Sequence, residues 1–231
     1  MLSAAYPCGL SARGGSCWPP RTFFILLEAM KTIKITTPTN PVISLNAVKD
    51  YLKIERDETE FDQDLQDIVN AAVDMVESET NATLLTTTFA AYWDRWPLGN
   101  MPLRIPGYPV TAVNVVTYKN ADGAPTVWDV NDYQVSLTRD PAIICPAPNQ
   151  TYPILQDGAL DTVSVEFTAG YGATGEDIPE LFLHMIKLIT GHWFRNREAV
   201  LVGSISKKIE LAFMSIRNQI WQNEFTEFAD Q

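Results

Sequence analysis

The spacing of apolar residues changes period twice along this chain, and that change fixes the fold class. Ser44 is a good N-cap, and behind it Leu45, Val48, Tyr51 and Leu52 fall on one helical face. This predicts a helix over 44–54. After a charged break at 56–59, Phe61, Leu65, Ile68, Val69, Ala72, Val73 and Val76 recur every three or four positions, the stripe of a second helix over 60–81. From Thr86 to Thr168 the pattern is that of short strands. Residues 86–93 are rich in Thr and aromatics, 97–109 are Pro- and Gly-rich loop and edge strand, and 110–119 read as a strand. Asp122-Gly123 signals a hairpin, with a return at 126–128 and short strands at 133–137 and 142–145. Over 162–168 Val163, Val165 and Phe167 alternate with Ser164 and Glu166. Helical spacing resumes after Gly175. Asp177 suits a cap and Pro179 a first turn, and a helix over 178–196 is apolar around more than half its circumference. A last amphipathic helix covers 207–221, with Ile209, Ala212, Phe213, Ile216 and Ile220 inward. The order predicts an α+β fold: mainly a helical bundle from 44–81 and 178–221, with an inserted antiparallel β block of short strands over 86–168.

Residues 1–29 differ from the rest. They hold Cys8 and Cys17, show little periodicity, and lack the basic start and long apolar core of a signal peptide. Met30 then opens a sequence typical of a cytoplasmic start. Residues 1–29 therefore read as an over-extended start or a disordered leader, 30–221 as one domain, and 222–231 as a C-terminal tail. Without the leader Cys145 is the remaining thiol, which makes neither an internal disulfide nor a Cys-based zinc site. The product then belongs to a reducing compartment. No apolar run reaches the roughly 18–20 residues that span a bilayer, so no membrane partner is expected. The net charge of −11 argues against a protein that grips nucleic acid through a basic surface. It leaves room for one that DNA passes without sticking.

Searches for chemistry end in structural readings. Gly170-Tyr171-Gly172-Ala173-Thr174-Gly175 matches G-x-G-x-x-G after a strand and before a helix, the context of a dinucleotide site. The strand before it closes an antiparallel block, however, and Glu176 and Asp177 put carboxylates where a pyrophosphate would sit. His184 and His192 lie on one helix without H-E-x-x-H, and read as packing or interface residues. Cys145 precedes Pro146 in a predicted loop without a placed base. No catalytic residue, cofactor or metal is expected.

Charge carries more information. Between Glu55 and Glu79 there are ten acidic residues and one basic, Arg56; between Lys187 and Arg217 there are six basic and two acidic. Solvated helix faces carry charge in any case. The functional alternative is complementarity within the bundle or between neighbouring subunits.

These segments together resemble one family, the head–tail connector (adaptor) proteins of long-tailed phages and prophages. The resemblance is carried by residues 43–54 (ISLNAVKDYLKI), by 62–83 with Val76-Glu77 and Asn81-Ala82 in matching places, and by 103–110 (LRIPGYPV) with 113–122. Its most specific part is FTAGYG at 167–172, leading through Ile178-Pro179 to HWFRNREA at 192–199. It spans about Val42 to Trp221; the last helix and the 225–231 tail follow no family pattern. The resemblance implies a structural virion protein without an active site, made in the host bacterial cytoplasm and located in the neck between capsid and tail. It implies a homo-oligomeric ring of about a dozen copies that attaches beneath the portal protein, extends the DNA channel and receives a stopper or tail-completion protein. Two other readings stand beside it: another neck or tail-completion component, and, on the glycine motif alone, a dinucleotide-binding oxidoreductase.

Within the ring reading, Asp57, Asp62, Asp64 and Asp67 are candidate subunit-interface residues facing Arg195, Arg197, Lys207 and Lys208 of a neighbour. Alternatively the acidic face lines the lumen. Trp221, Phe225 and Phe228 continue past where a bundle needs them and are the candidate portal contact.

Overall fold

The computed structural model describes residues 31–196 together with Met214 and Ser215. Strand β1 (Lys31–Lys34) comes first, followed by helices α1 (Leu45–Leu52) and α2 (Asp62–Thr80). Seven more strands follow: β2 (Thr87–Trp93), β3 (Leu103–Arg104), β4 (Val110–Lys119), β5 (Pro125–Val127), β6 (Tyr133–Ser136), β7 (Ile143–Pro146) and β8 (Val163–Ala169). Helix α3 (Glu180–Arg195) ends the continuous stretch. Every strand pairing is antiparallel, in a five-stranded sheet of order β1-β2-β8-β4-β5 and a three-stranded sheet of order β3-β7-β6.

The fold is α+β, as the periodicity predicts, but it is not mainly a helical bundle. The strands are no excursion from a helical core, because they enclose a core of their own. Trp93, Leu103, Ile105, Val116, Ile144, Val163, Val165 and Phe167 are all essentially inaccessible between the two sheets. A second cluster joins the helices: Val48 of α1, Leu65, Val69 and Val76 of α2, Phe182, Met185, Ile186 and Ile189 of α3, with Leu84 and Leu85 from the α2–β2 connection. Fully burying one such side chain contributes about 1.5–3 kcal/mol, so each cluster is a substantial source of stability. The expected helix over 207–221 lies outside the described residues apart from Met214 and Ser215, which are helical and exposed.

Local signals explain the elements. Ser44 caps α1 by accepting from the Ala47 amide at 3.3 Å, and Lys53 closes the helix in the left-handed region at φ 64°. Asn81 closes α2 the same way at φ 54°. In β8, Val163, Val165, Phe167 and Ala169 are buried on one face, as the alternation predicts. The β4–β5 hairpin turns on Asn120 as much as on Asp122-Gly123: its side-chain oxygen accepts from the amides of Asp122 (3.1 Å) and Ala124 (2.9 Å), and Gly123 takes φ 81°. Cys145 lies on β7, in keeping with the strand read over 142–145 and not with a loop.

The register gives the large sheet two distinct ends. Ala169 faces both Thr87 and Val110 at one end; α2 leads into that end and α3 departs from it. Val163 faces both Trp93 and Tyr118 at the other, so the loops at 94–102, 120–124 and 147–162 all gather there. Helices and long loops thus occupy opposite ends.

Candidate functional site

The acidic run of the sequence divides in two. Asp62 is half-buried and forms an ion pair with Lys49, whose Nζ lies 2.5 Å from Asp62 Oδ1. Lys49 is itself buried, and its ammonium also donates to the carbonyls of Glu58 (2.6 Å) and Arg56 (3.3 Å). One buried cation thereby fixes the turn between α1 and α2. Glu77 is also turned inward. Its Oε1 accepts from the Leu84 amide at 2.8 Å, and burial pushes its carboxyl above the usual range, opposed by that hydrogen bond. Glu55, Asp57, Glu58, Glu60, Asp64, Asp67, Asp74 and Glu79 are exposed. Asp67 accepts from Gln63 one helical turn earlier at 3.0 Å. The surface cation Arg56 is engaged by Asp50 through two contacts of 3.0 and 2.6 Å.

Among the basic candidates, Arg195 is exposed at the C-terminus of α3. Its neighbour Phe194 packs edge-on against Phe61, with ring centroids 6.1 Å apart. The end of α3 is thereby set against the start of α2. Arg197, Lys207, Lys208, Trp221, Phe225 and Phe228 lie outside the described residues.

The glycine motif is a packed turn. Gly170 adopts φ 129°, and a Cβ there would meet the backbone of Leu85 and Thr86 at 2.6 Å. Gly172 and Gly175 do not adopt positive φ. Added Cβ atoms there would collide with the Asp177 side chain and the Val42 carbonyl. The turn is stitched to the α2–β2 connection: Tyr171 N donates to Leu84 O at 3.1 Å, and Thr86 N to Gly172 O at 2.8 Å. Asp177 does not cap α3. Its carboxylate accepts from the amide (3.1 Å) and hydroxyl (2.9 Å) of Thr174, a capping box on the short 3-10 turn at Gly175–Asp177. The amide that a pyrophosphate would use already holds an anion.

His184 is exposed, and His192 Nδ1 lies 3.1 Å from Asn196 Nδ2. Among the described residues no three of His, Cys, Asp or Glu gather as metal ligands, and no helix is long and apolar enough to cross a membrane.

Sequence reasoning missed the loop end of the sheet. Leu98 and Ile154 are 82% and 80% exposed there, with Leu160 at 71%. The loops that carry them are nevertheless tied down. Trp96 Nε1 donates to Pro153 O (3.0 Å), Tyr152 Oη to Met101 O (2.7 Å), Lys119 Nζ to Leu160 O (2.9 Å), and Asp161 N to Asp94 Oδ1 (2.8 Å). Trp96 stacks on Tyr152 at 4.8 Å, and Trp128 leans on both. Beside this cluster opens a cleft of about 480 Å³, lined by Tyr118, Trp128, Asp129, Asp132, Tyr152 and Ile154 among others. The missed signal was aliphatics standing in Pro- and Gly-containing loops, as in Pro97-Leu98-Gly99 and Pro153-Ile154.

Burial pushes the Tyr152 hydroxyl up to about 12, partly opposed by a backbone hydrogen bond. An unfolded tyrosine ionises near pH 10. The unfolded chain therefore loses this proton first, and stability should fall as pH rises from about 10 to about 12. Thermal melts across that range test this; Tyr152→Phe should flatten the alkaline slope.

No protein-family model matches the chain, and no curated protein matches it in sequence. Solved structures do. A chain from the neck of an empty gene transfer agent particle, computed with C6 symmetry, superposes with a TM-score of 0.66 at 18% identity, covering 82% of this chain and 94% of that one. A chain from the virion of a native gene transfer agent particle gives 0.65 at 19% identity with the same coverage. One from the neck of the native particle, computed with C12 symmetry, gives 0.63 at 19% identity, again with that coverage. The chain shares the fold of these particle proteins over most of its length.

Proposed function

We propose that this protein is a structural neck component of a phage-like virion, a head–tail adaptor that forms a ring of about a dozen copies under the portal. In that position it extends the DNA channel and joins the tail. The observation that carries the reading is the match to neck chains over 94% of their length. Those necks were computed with six-fold and twelve-fold symmetry, which suits a ring of about a dozen. Head-to-tail contacts that close generate such rings.

The exposed acidic residues Asp57, Asp64 and Asp67 form one edge of the subunit, and Arg195, Arg197, Lys207 and Lys208 serve the neighbour's edge. Asp62 acts from inside by holding the turn. In the second assignment the acidic stripe faces the lumen, where like charge lets DNA slide. The C-terminal residues Trp221, Phe225 and Phe228 insert into the portal's lower rim. The glycine motif lends no support to an oxidoreductase, because its anion position is filled by Asp177.

Truncation after Ile220 tests the assignment. The shortened protein should melt as the full chain does, yet fail to join DNA-filled heads, which then leak DNA or stay tailless. Infectious or DNA-transferring particles at full yield would contradict the portal contact.

A further inference from the structure

We propose that the loop end of the large sheet is a docking surface for a different protein, one that presents aliphatic sockets together with Lys or Arg side chains. This rests on the reading of the chain as a particle component, since the partner is then another protein of that particle.

Three observations converge on it. The first is exposure: Leu98, Ile154 and Leu160 are among the most exposed large apolar side chains of the described residues, and all three sit at this end, opposite the helices. Apolar side chains gathered at one surface and held out into solvent mark an interaction site. The second is order. The loops are cross-tied by the hydrogen bonds of Trp96, Tyr152, Lys119 and Asp94, so their tips are presented in a fixed arrangement. A surface already ordered loses little entropy on binding. The third is charge. Loops 94–102, 120–124 and 147–162 carry Asp94, Asp122, Asp157 and Asp161 against Arg95. The adjoining cleft adds Asp129 and Asp132, which line it together with Trp128 and Tyr152. Carboxylates beside aromatic rings suit the stem and head of a Lys or Arg side chain.

The charge also selects the occupant. A second copy presenting this same end would set like charges face to face, and the whole chain carries −11. A distinct partner with a basic, apolar-socketed face satisfies both the aliphatic tips and the carboxylates.

The test uses particles purified from a strain in which photoreactive benzoylphenylalanine replaces Leu98 or Ile154 of the full chain. Irradiation should yield an adduct with one other particle protein, and the joined peptides should be rich in Lys or Arg. Leu98→Asp combined with Ile154→Asp should abolish that adduct and cut the yield of complete particles at least tenfold, with an unchanged melting temperature. Asp129→Asn with Asp132→Asn should lower the adduct yield severalfold. Adducts confined to a second copy, adducts with this chain's own residues 1–29, no adduct at all, or wild-type yield from the double Asp variant would each overturn the proposal. Absence of the chain from purified particles would overturn the neck reading with it; presence of the chain with an unlabelled tip overturns the docking surface alone.

Discussion

Gly170→Ala is expected to lower stability by about 4 kcal/mol, a large share of the roughly 5–15 kcal/mol that holds a domain folded. Two costs combine. The residue sits at φ 129°, a region closed to L side chains, which costs about 1–3 kcal/mol. An added Cβ would also press on the backbone of Leu85 and Thr86 at 2.6 Å, and backbone cannot swing aside as a flexible side chain can. Overpacking of that kind costs about 1–3 kcal/mol more. Gly99→Ala is the internal comparison. It shares a positive φ, 63°, but nothing lies within 4 Å of its Cβ position, so it should cost about 1 kcal/mol. Chemical denaturation of both variants measures the difference. Equal losses would show that φ alone matters at Gly170 and that the close approach to the α2–β2 connection does not.

Lys49→Met should cost about 3 kcal/mol, because it strands Asp62 and two carbonyls without their cation. The figure is at the low end of the range for broken buried pairs, since the Asp62 side chain remains 33% exposed. Lys49→Met with Asp62→Leu should recover most of the loss, as an apolar pair replaces an ionic one. Urea melts of the two single variants and the double form the cycle. A double variant no better than Lys49→Met would place the energy in the carbonyl contacts to Arg56 and Glu58. The consequence reaches the proposed ring: if Lys49 sets the turn, its loss should disorder the stretch that bears Asp57 and weaken assembly beyond the loss of stability.

These two residues also show how far the sequence could be read. Ser44 as a cap, the stripe of α2 and the alternation of β8 are local patterns, each visible within a few positions. Lys49 is not legible in that way. It sits on a helix beside Val48 and would pass as solvated, and its partner lies beyond a turn whose path the sequence does not declare. The tight packing at Gly172 and Gly175 is not legible in the sequence either. Their neighbours, Asp177 and Val42, are set by the three-dimensional path of the chain. Strand β1 escaped because all four of its residues are exposed, so it shows no buried face; its place comes from main-chain pairing with β2. The balance of helix and strand was misjudged for a related reason. Short strands interrupted by prolines look like an excursion until Trp93, Ile105, Ile144 and Phe167 are found closing a core between two sheets. At the candidate site, the exposed acidic face was legible as charge density. The loop end was not, because only tertiary structure shows that residues 94–102 and 147–162 meet.

The central claim is a place in a particle, and a reconstruction of that particle tests it most directly. The neck should be solved by electron cryomicroscopy without imposed symmetry, and its density matched to this fold. The account predicts about a dozen copies in one ring between portal and tail, encircling the DNA channel, with the loop end of each subunit against a different protein. Density for this chain elsewhere, in the capsid shell or tail tube, or no density for it in the complete particle, would contradict the account.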